Sequence, residues 1–192
     1  YLWQTPTPPP GTGSQADPYQ IRQMADLVWM GDNVGSSSGQ YYTVQNDIDA
    51  SATTNWYGGA GFMPIGTNGI PFMGVFDGNG YKVSHLTVST DGCAGLFGRV
   101  EGEVVNLGVV DVNITSSGSP VGSVAAWNYG TLACCYSTGA VSGNESVGGL
   151  VGYNGYGCDV TYCYSTGGVS GNSSVGGLLG YNDYGTVTDC FW

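Results

Sequence analysis

A chain of 192 residues with 35 glycines and 14 tyrosines carries three Lys and Arg against fourteen Asp and Glu, a formal charge of −11. Nucleic-acid binding needs cations to displace phosphate counterions and is excluded; an anionic membrane surface is disfavoured on the same ground. No apolar run reaches the roughly 18 residues that cross a bilayer, and with charged residues at 9% solubility rests on hydroxyls, amides and glycine backbone, as in a secreted β-protein.

Residues 1–15, YLWQTPTPPPGTGSQ, contain four prolines and read as an extended, polyproline-like arm or linker. Such an arm either packs along its own domain or docks on a neighbouring subunit, with Tyr1, Leu2 and Trp3 as its candidate contact residues. Thr5 and Thr7 are candidate O-glycan sites on composition. The chain begins at Tyr1 without Met or a leader, which reads as a processed mature chain or an excised piece.

Residues 16–92 form a lead-in region. Ile21, Met24, Ala25, Leu27 and Val28 recur at helical spacing and predict one short amphipathic helix over 22–31, the only helix expected. SGQYYTVQNDIDAS reads as a strand running into polar turn residues. PFMGVFDGNGYKVSHLTV reads as two strands joined at Asp77-Gly78-Asn79-Gly80, residue types that accept positive φ.

From 93 to 192 the chain repeats itself. SVGGLVGYN at 146–154 returns as SVGGLLGYN at 174–182, and CYSTGAVSG at 135–143 returns as CYSTGGVSG at 163–171. Leu96, Val124, Leu150 and Leu178 fall in one column. Leu107, Cys135, Cys163 and Cys190 fall in a second, and Asn128, Asn154 and Asn182 in a third, at spacings of 26 to 28 residues. A unit of that length cannot bury its own apolar face; stacked on copies of itself it forms a continuous core. The alternation in VTYCYS and GLVGYN has the period of strands. The sequence therefore predicts an all-β parallel solenoid, in which equivalent residues lie about 4.8 Å apart in adjacent coils.

The repeated phrase VGGLVGYN…CYSTGxVSG resembles the GLUG repeat of large bacterial secreted and surface proteins, including adhesins and IgA-peptidase-like modular chains. ADPYQIRQMADL, YYTVQNDIDAS, FMGVFDGNGYKVSHLTV and AGLFGRVEGEVVNLGV resemble the segment that leads into such repeats, so the likeness runs over roughly 14–192. It implies a right-handed parallel β-helix of ~28-residue coils, with the short helix covering its N-terminal end. It implies no reaction, since the repeat carries no known catalytic residues.

If Leu107 points inward, so do the cysteines of its column, as small apolar core residues. Stacked neighbours sit near the lower part of the disulfide Cα range, so one bridge fits; three in a row cannot all pair, and a mostly reduced ladder is expected. Cys134 should face outward with Cys158 in a turn of the next coil, and these two are the candidate disulfide. There is no CxxC pair, and His85 is the single histidine, so no metal site and no cofactor are expected.

Tyr136, Tyr164 and Phe191 should alternate outward beside the cysteines, and Trp127, Tyr153 and Tyr181 beside the Leu strand. These columns, with Trp192, are candidates for a protein interface or for stacking on sugar rings; alternatively they only pack on one another across the sheet. Asp47, Asp49, Asp77, Glu101 and Glu103 read as solvated turn carboxylates; none recurs in register with a basic partner, although Lys82, His85 and Arg99 are clustered in sequence, so no catalytic residues are assigned. Sequons at Asn113, Asn144 and Asn172 are candidate glycosylation sites. The sequence points to a secreted or cell-surface structural solenoid that self-associates into a homo-oligomer or filament, using its arm and an open C-terminal coil. The alternative is an adhesin-type module that binds carbohydrate through its aromatic columns.

Overall fold

The computed structural model describes residues 6–192; the arm residues Tyr1, Leu2 and Trp3 and the candidate glycan site Thr5 lie outside them. Four sheets run along the molecule, and every pairing between their strands is parallel. Sheet I stacks Tyr19–Ile21, Tyr41–Val44, Val75–Asp77, Glu103–Val105, Thr131–Ala133, Asp159–Thr161 and Thr186–Thr188. Sheet II is built on Ile48–Asp49, Lys82–Ser84, Gly108–Ser116, Tyr136–Ser142 and Tyr164–Ser165, with Thr87–Thr90 and Gly168–Ser170 on its far half. Sheet III stacks Val121–Gly122, Glu145–Gly148 and Ser173–Gly176, and sheet IV stacks Phe97–Val100, Ala125–Asn128, Val151–Asn154 and Leu179–Asn182. One coil visits the sheets in the order I, II, III, IV, which is the parallel β-solenoid that the repeat predicts.

The columns read from sequence are the registers of these sheets. Asn128 pairs with Asn154 and Asn154 with Asn182; Tyr136 pairs with Tyr164. Leu96, Leu107, Val124, Cys135, Leu150 and Cys163 are all fully buried, continuous with an aromatic cluster of Phe72, Phe76 and Phe97. The Phe97 ring lies 5.2 Å from Phe72 and 5.4 Å from Phe76, spacings at which aromatic pairs add to simple burial.

Corners between sheets I and II are made by left-handed residues. Asn106, Cys134, Tyr162 and Asp189 stack there with φ of 54, 54, 54 and 52°. Each of the first three sends its N–H to the carbonyl before the next corner, on Ala133, Thr161 and Thr188, at 3.0 Å. Asn and Asp take this conformation readily; Cys and Tyr do so at a cost, imposed by the coils on either side.

The helix forms at Met24–Asp32, shifted by one or two residues from the predicted span. Asp26 sets its start, its Oδ2 accepting the N–H groups of Arg22 at 2.8 Å and Gln23 at 3.2 Å, while Leu27 and Met30 enter the core. It is not the only helical segment: Val34–Ser36 is a 3-10 turn and Ser51–Gly59 two such turns broken at Trp56–Gly58. Hydroxyl and carboxylate bonds to local backbone account for the second. Thr53 Oγ1 donates to Ala50 O at 2.6 Å, and Asp49 Oδ1 accepts from Ser51 N at 2.9 Å, contacts that compete with a strand ladder and leave no apolar period to read. The described part of the arm packs on its own chain, Pro10 O accepting from Gln20 N at 2.7 Å and Gly13 O from Tyr41 N at 2.8 Å.

Candidate interaction surface

A ladder of amides runs inside the corner after sheet IV. Asn128 Nδ2 donates to Asn154 Oδ1 at 2.7 Å, and Asn154 Nδ2 to Asn182 Oδ1 at 2.8 Å. Asn128 and Asn154 are fully buried, so each buried amide meets the demand for partners through the next copy of itself.

Outside this corner the rings collect. Trp127, Tyr153 and Tyr181 follow one register, with centroids 4.8 and 5.3 Å apart. Tyr129 joins them, 5.9 Å from Trp127, and Arg99 lies 4.3 Å over its ring, a cation–π contact. Tyr129 was not among the sequence candidates. Its signal is in its own column, one coil on: a Cβ on Gly155 would stand 2.6 Å from the Tyr129 ring, so the glycine there makes room for it. Tyr153 Oη donates to Asp183 Oδ2 at 2.8 Å, and that bond, ahead of burial, pushes the Tyr153 phenol up to about 12.

On sheet II, Tyr136 and Tyr164 stack at 5.1 Å and 11°, and Tyr164 and Phe191 at 5.0 Å and 2°. Rings held this way occupy one another's faces; Phe191, last in the column and 61% exposed, keeps one face free. The exposed pair Tyr156 and Tyr184 was also not foreseen. Trp192 leaves the aromatic columns, because its place follows Phe191 as Ser165 follows Tyr164 and Ser137 follows Tyr136. Its indole lies against Gly177, where a Cβ would come within 2.0 Å of ring carbons.

The last coil exposes what earlier coils bury. Val121 and Val147 are fully buried and Val175 is 43% exposed; Val160 is fully buried and Val187 is 41% exposed. Leu178 and Leu179 are half-buried, against full burial of Leu150 and Val151.

All six cysteines are free thiols, and Cys134 and Cys158 are not joined. Cys134 follows the strand Thr131–Ala133, whereas Cys158 precedes Asp159–Thr161, and Thr131 is level with Asp159. The two therefore stand at opposite ends of the sheet, about 13 Å apart along the strand at 3.3 Å per residue, beyond disulfide reach. Asn113, Asn144 and Asn172 are exposed, as is Thr7; Asn172 Nδ2 donates to Asn144 Oδ1 at 2.8 Å. The coils bring charges together as open pairs, Lys82 with Asp47 at 3.8 Å and His85 with Asp49 at 3.3 Å, while Arg99 pairs with Glu101 at 2.5 Å. The Ser51 backbone N–H, then its hydroxyl and His85, hold the Asp49 carboxyl below its ordinary value. Between the helix and residues 56–70 lies a cleft of about 330 Å³. Its walls, Leu27, Val28, Trp56, Phe62, Met63 and Ile70 among them, are mostly apolar, unlike an acid–base site.

A parallel solenoid with in-register Asn and aromatic ladders is a repeat-built scaffold, and the repeat has a name: the sequence profile of the GLUG motif matches residues 143–170 and 171–191. Residues 143–191 of this parallel β-solenoid thus carry two GLUG motifs. It is 38% identical over 151 residues to halomucin of Haloquadratum walsbyi, a match covering 74% of this chain and 2% of halomucin. It is 38% identical over 130 residues to a protein of Evansella cellulosilytica named provisionally as a Gly-rich membrane protein, covering 64% of this chain and 14% of that one. The chain thus spans a small part of both relatives. A crystal structure from Bacteroides ovatus, named provisionally as an immunoglobulin A1 protease, superposes with a TM-score of 0.63 at 20% identity, over 94% of this chain and 76% of that one. That likeness is one of fold.

Proposed function

We propose that the chain is a non-enzymatic structural module of an extracellular or cell-surface protein, and that it self-associates through its last coil. The reading rests on one observation: on the last coil of these 192 residues Val175, Val187, Phe191 and Trp192 are between 41 and 72% exposed, whereas Val147 and Val160 on the coil before are fully buried. An uncovered sheet edge with apolar columns is a template for another strand layer. A second copy stacked there buries these residues, continues the ring column beyond Phe191, and gives an open filament if the contact is head-to-tail. The names of the two sequence relatives, halomucin and a Gly-rich membrane protein, support the surface location. Sedimentation velocity over a concentration series, with electron microscopy of the same samples, tests the assembly. Concentration-dependent species or regular fibres are expected for the 192-residue chain, lost in Phe191→Asp/Val175→Asp; a monodisperse monomer at all concentrations overturns the reading.

Glycan recognition is the second reading, and the ring geometry confines it. Interior rings of the columns are covered by their neighbours, so sugar stacking falls to the exposed rings Tyr156, Tyr181, Tyr184, Phe191 and Trp192. Binding of a glycan array by monomeric protein, abolished in Tyr181→Ala, would favour it.

A further inference from the structure

Three thiols stand in line inside the solenoid. Cys135 and Cys163 are fully buried, and Cys190 is partly exposed on the last coil. Their strands run parallel and in register, since Tyr136 pairs with Tyr164 and Tyr164 with Phe191. Successive Cα atoms are thus separated by one strand spacing, about 4.8 Å, inside the 4.4–6.8 Å that a disulfide spans. The side chains point along the stack: Cys135 N–H donates to Cys163 Sγ at 3.3 Å, and Cys163 N–H to Cys190 Sγ at 3.3 Å. Each sulfur is thereby aimed at the cysteine of the preceding coil.

We infer that Cys163 and Cys190 form a disulfide-forming pair that fastens the last coil to the one before it. Cys163 can bond to only one neighbour, and access decides which. A low-molecular-weight disulfide reaches Cys190 at the partly exposed end, whereas Cys135 is sealed beneath two coils. The Cys190 thiol gives its proton to solvent, and its thiolate attacks the small disulfide RSSR. A Cys190–S–S–R bond forms and one RS⁻ leaves. The Cys163 thiolate, its proton also passed to solvent, then attacks Cys190 Sγ; the Cys163–Cys190 bond forms, the S–SR bond breaks, and the second RS⁻ leaves. Two protein thiols are oxidised and RSSR is reduced to two RSH. The Cys163 thiol suits the attacking role, because hydrogen bonds from the Cys135 side chain and backbone hold it below its ordinary value against the opposing effect of burial. The Cys135 thiol is pushed the other way, chiefly by the same contact with Cys163.

The test is to incubate the folded, reduced 192-residue chain with oxidised glutathione, quench with acid, alkylate in denaturant and map peptides by mass spectrometry. Expected is a species lighter by two hydrogens, with a 163–190 crosslink and Cys135 alkylated. Cys135→Ser should still form the link. Cys190→Ser should form neither that link nor one between Cys135 and Cys163. A second readout keeps the variants interpretable: in the linked wild type, amide hydrogen exchange over 186–192 slows relative to the reduced chain. A 135–163 crosslink, a lasting glutathione adduct on Cys190, or full alkylation of both Cys163 and Cys190 after exposure overturns the proposal.

Discussion

Gly149 lies so close to Gly177 of the next coil that a Cβ on it would stand 2.0 Å from the Gly177 carbonyl oxygen and 2.3 Å from Ser165 Oγ. The second glycine of SVGGLVGYN is therefore a contact residue between coils, and its missing side chain sets how tightly they stack. Gly149→Ala should force two backbones apart and cost about 3 kcal/mol or more, at the upper end of overpacking effects. Urea unfolding checks it; a loss below about 1 kcal/mol would show that the coils yield there.

The amide ladder makes a graded prediction. Asn154→Ala removes the ladder partners of Asn128 Nδ2 and Asn182 Oδ1 together, leaving Asn128 Nδ2 only its 3.3 Å bond to Asp159 O, and should cost about 2 kcal/mol because the Asn128 amide is buried. Asn182→Ala, at the exposed end, should cost about 1 kcal/mol. The ratio between the two, read from denaturation midpoints at constant slope, is the measure.

The corner column can be relieved. Tyr162 is 62% exposed with φ of 54°, so its side chain contributes little packing against the strain of that conformation. Tyr162→Asn should raise stability by up to about 1 kcal/mol, within the 1–2 kcal/mol that left-handed backbone costs ordinary residues. Differential scanning calorimetry would show the rise in Tm.

Alkaline pH should loosen the coil that buries Tyr42. Burial, then the neighbouring Tyr19, pushes the Tyr42 phenol from 10.0 up to about 12. The folded state thus holds this proton more tightly than the unfolded state does. The contribution to stability is complete below pH 10 and is lost as pH climbs from 10 to 12. Tyr42→Phe should flatten that part of the stability profile, measured by chemical denaturation across the range.

The columns were legible because stacking writes a physical repeat into the sequence: Asn154 and Asn182 sit in register because each answers the other's amide. The helix was legible from Leu27 and Val28, within two residues. Ser51–Gly59 was not, because its shape comes from local bonds at Thr53 and Asp49 rather than from a period. Tyr129 was missed since its column partners are Gly155 and Asp183; the pattern there is a ring over a space, which a search for like residues overlooks. The Cys134–Cys158 pairing failed on registration along the strand, which requires knowing that Thr131 and Asp159 are level.

The parallel register also sets how the molecule would respond to pulling. Hydrogen bonds between coils lie along the solenoid axis in all four sheets, so tension on the axis loads every ladder of one coil boundary together, while a pull on the chain's end peels strands singly. Peeling would begin at the last coil, where Val175, Val187 and Phe191 are least covered. Each coil of 28 residues would then release about 90 Å of extended chain, at about 3.3 Å per residue. A row of such modules is a spring with discrete steps, and a crosslink between two coils removes one step.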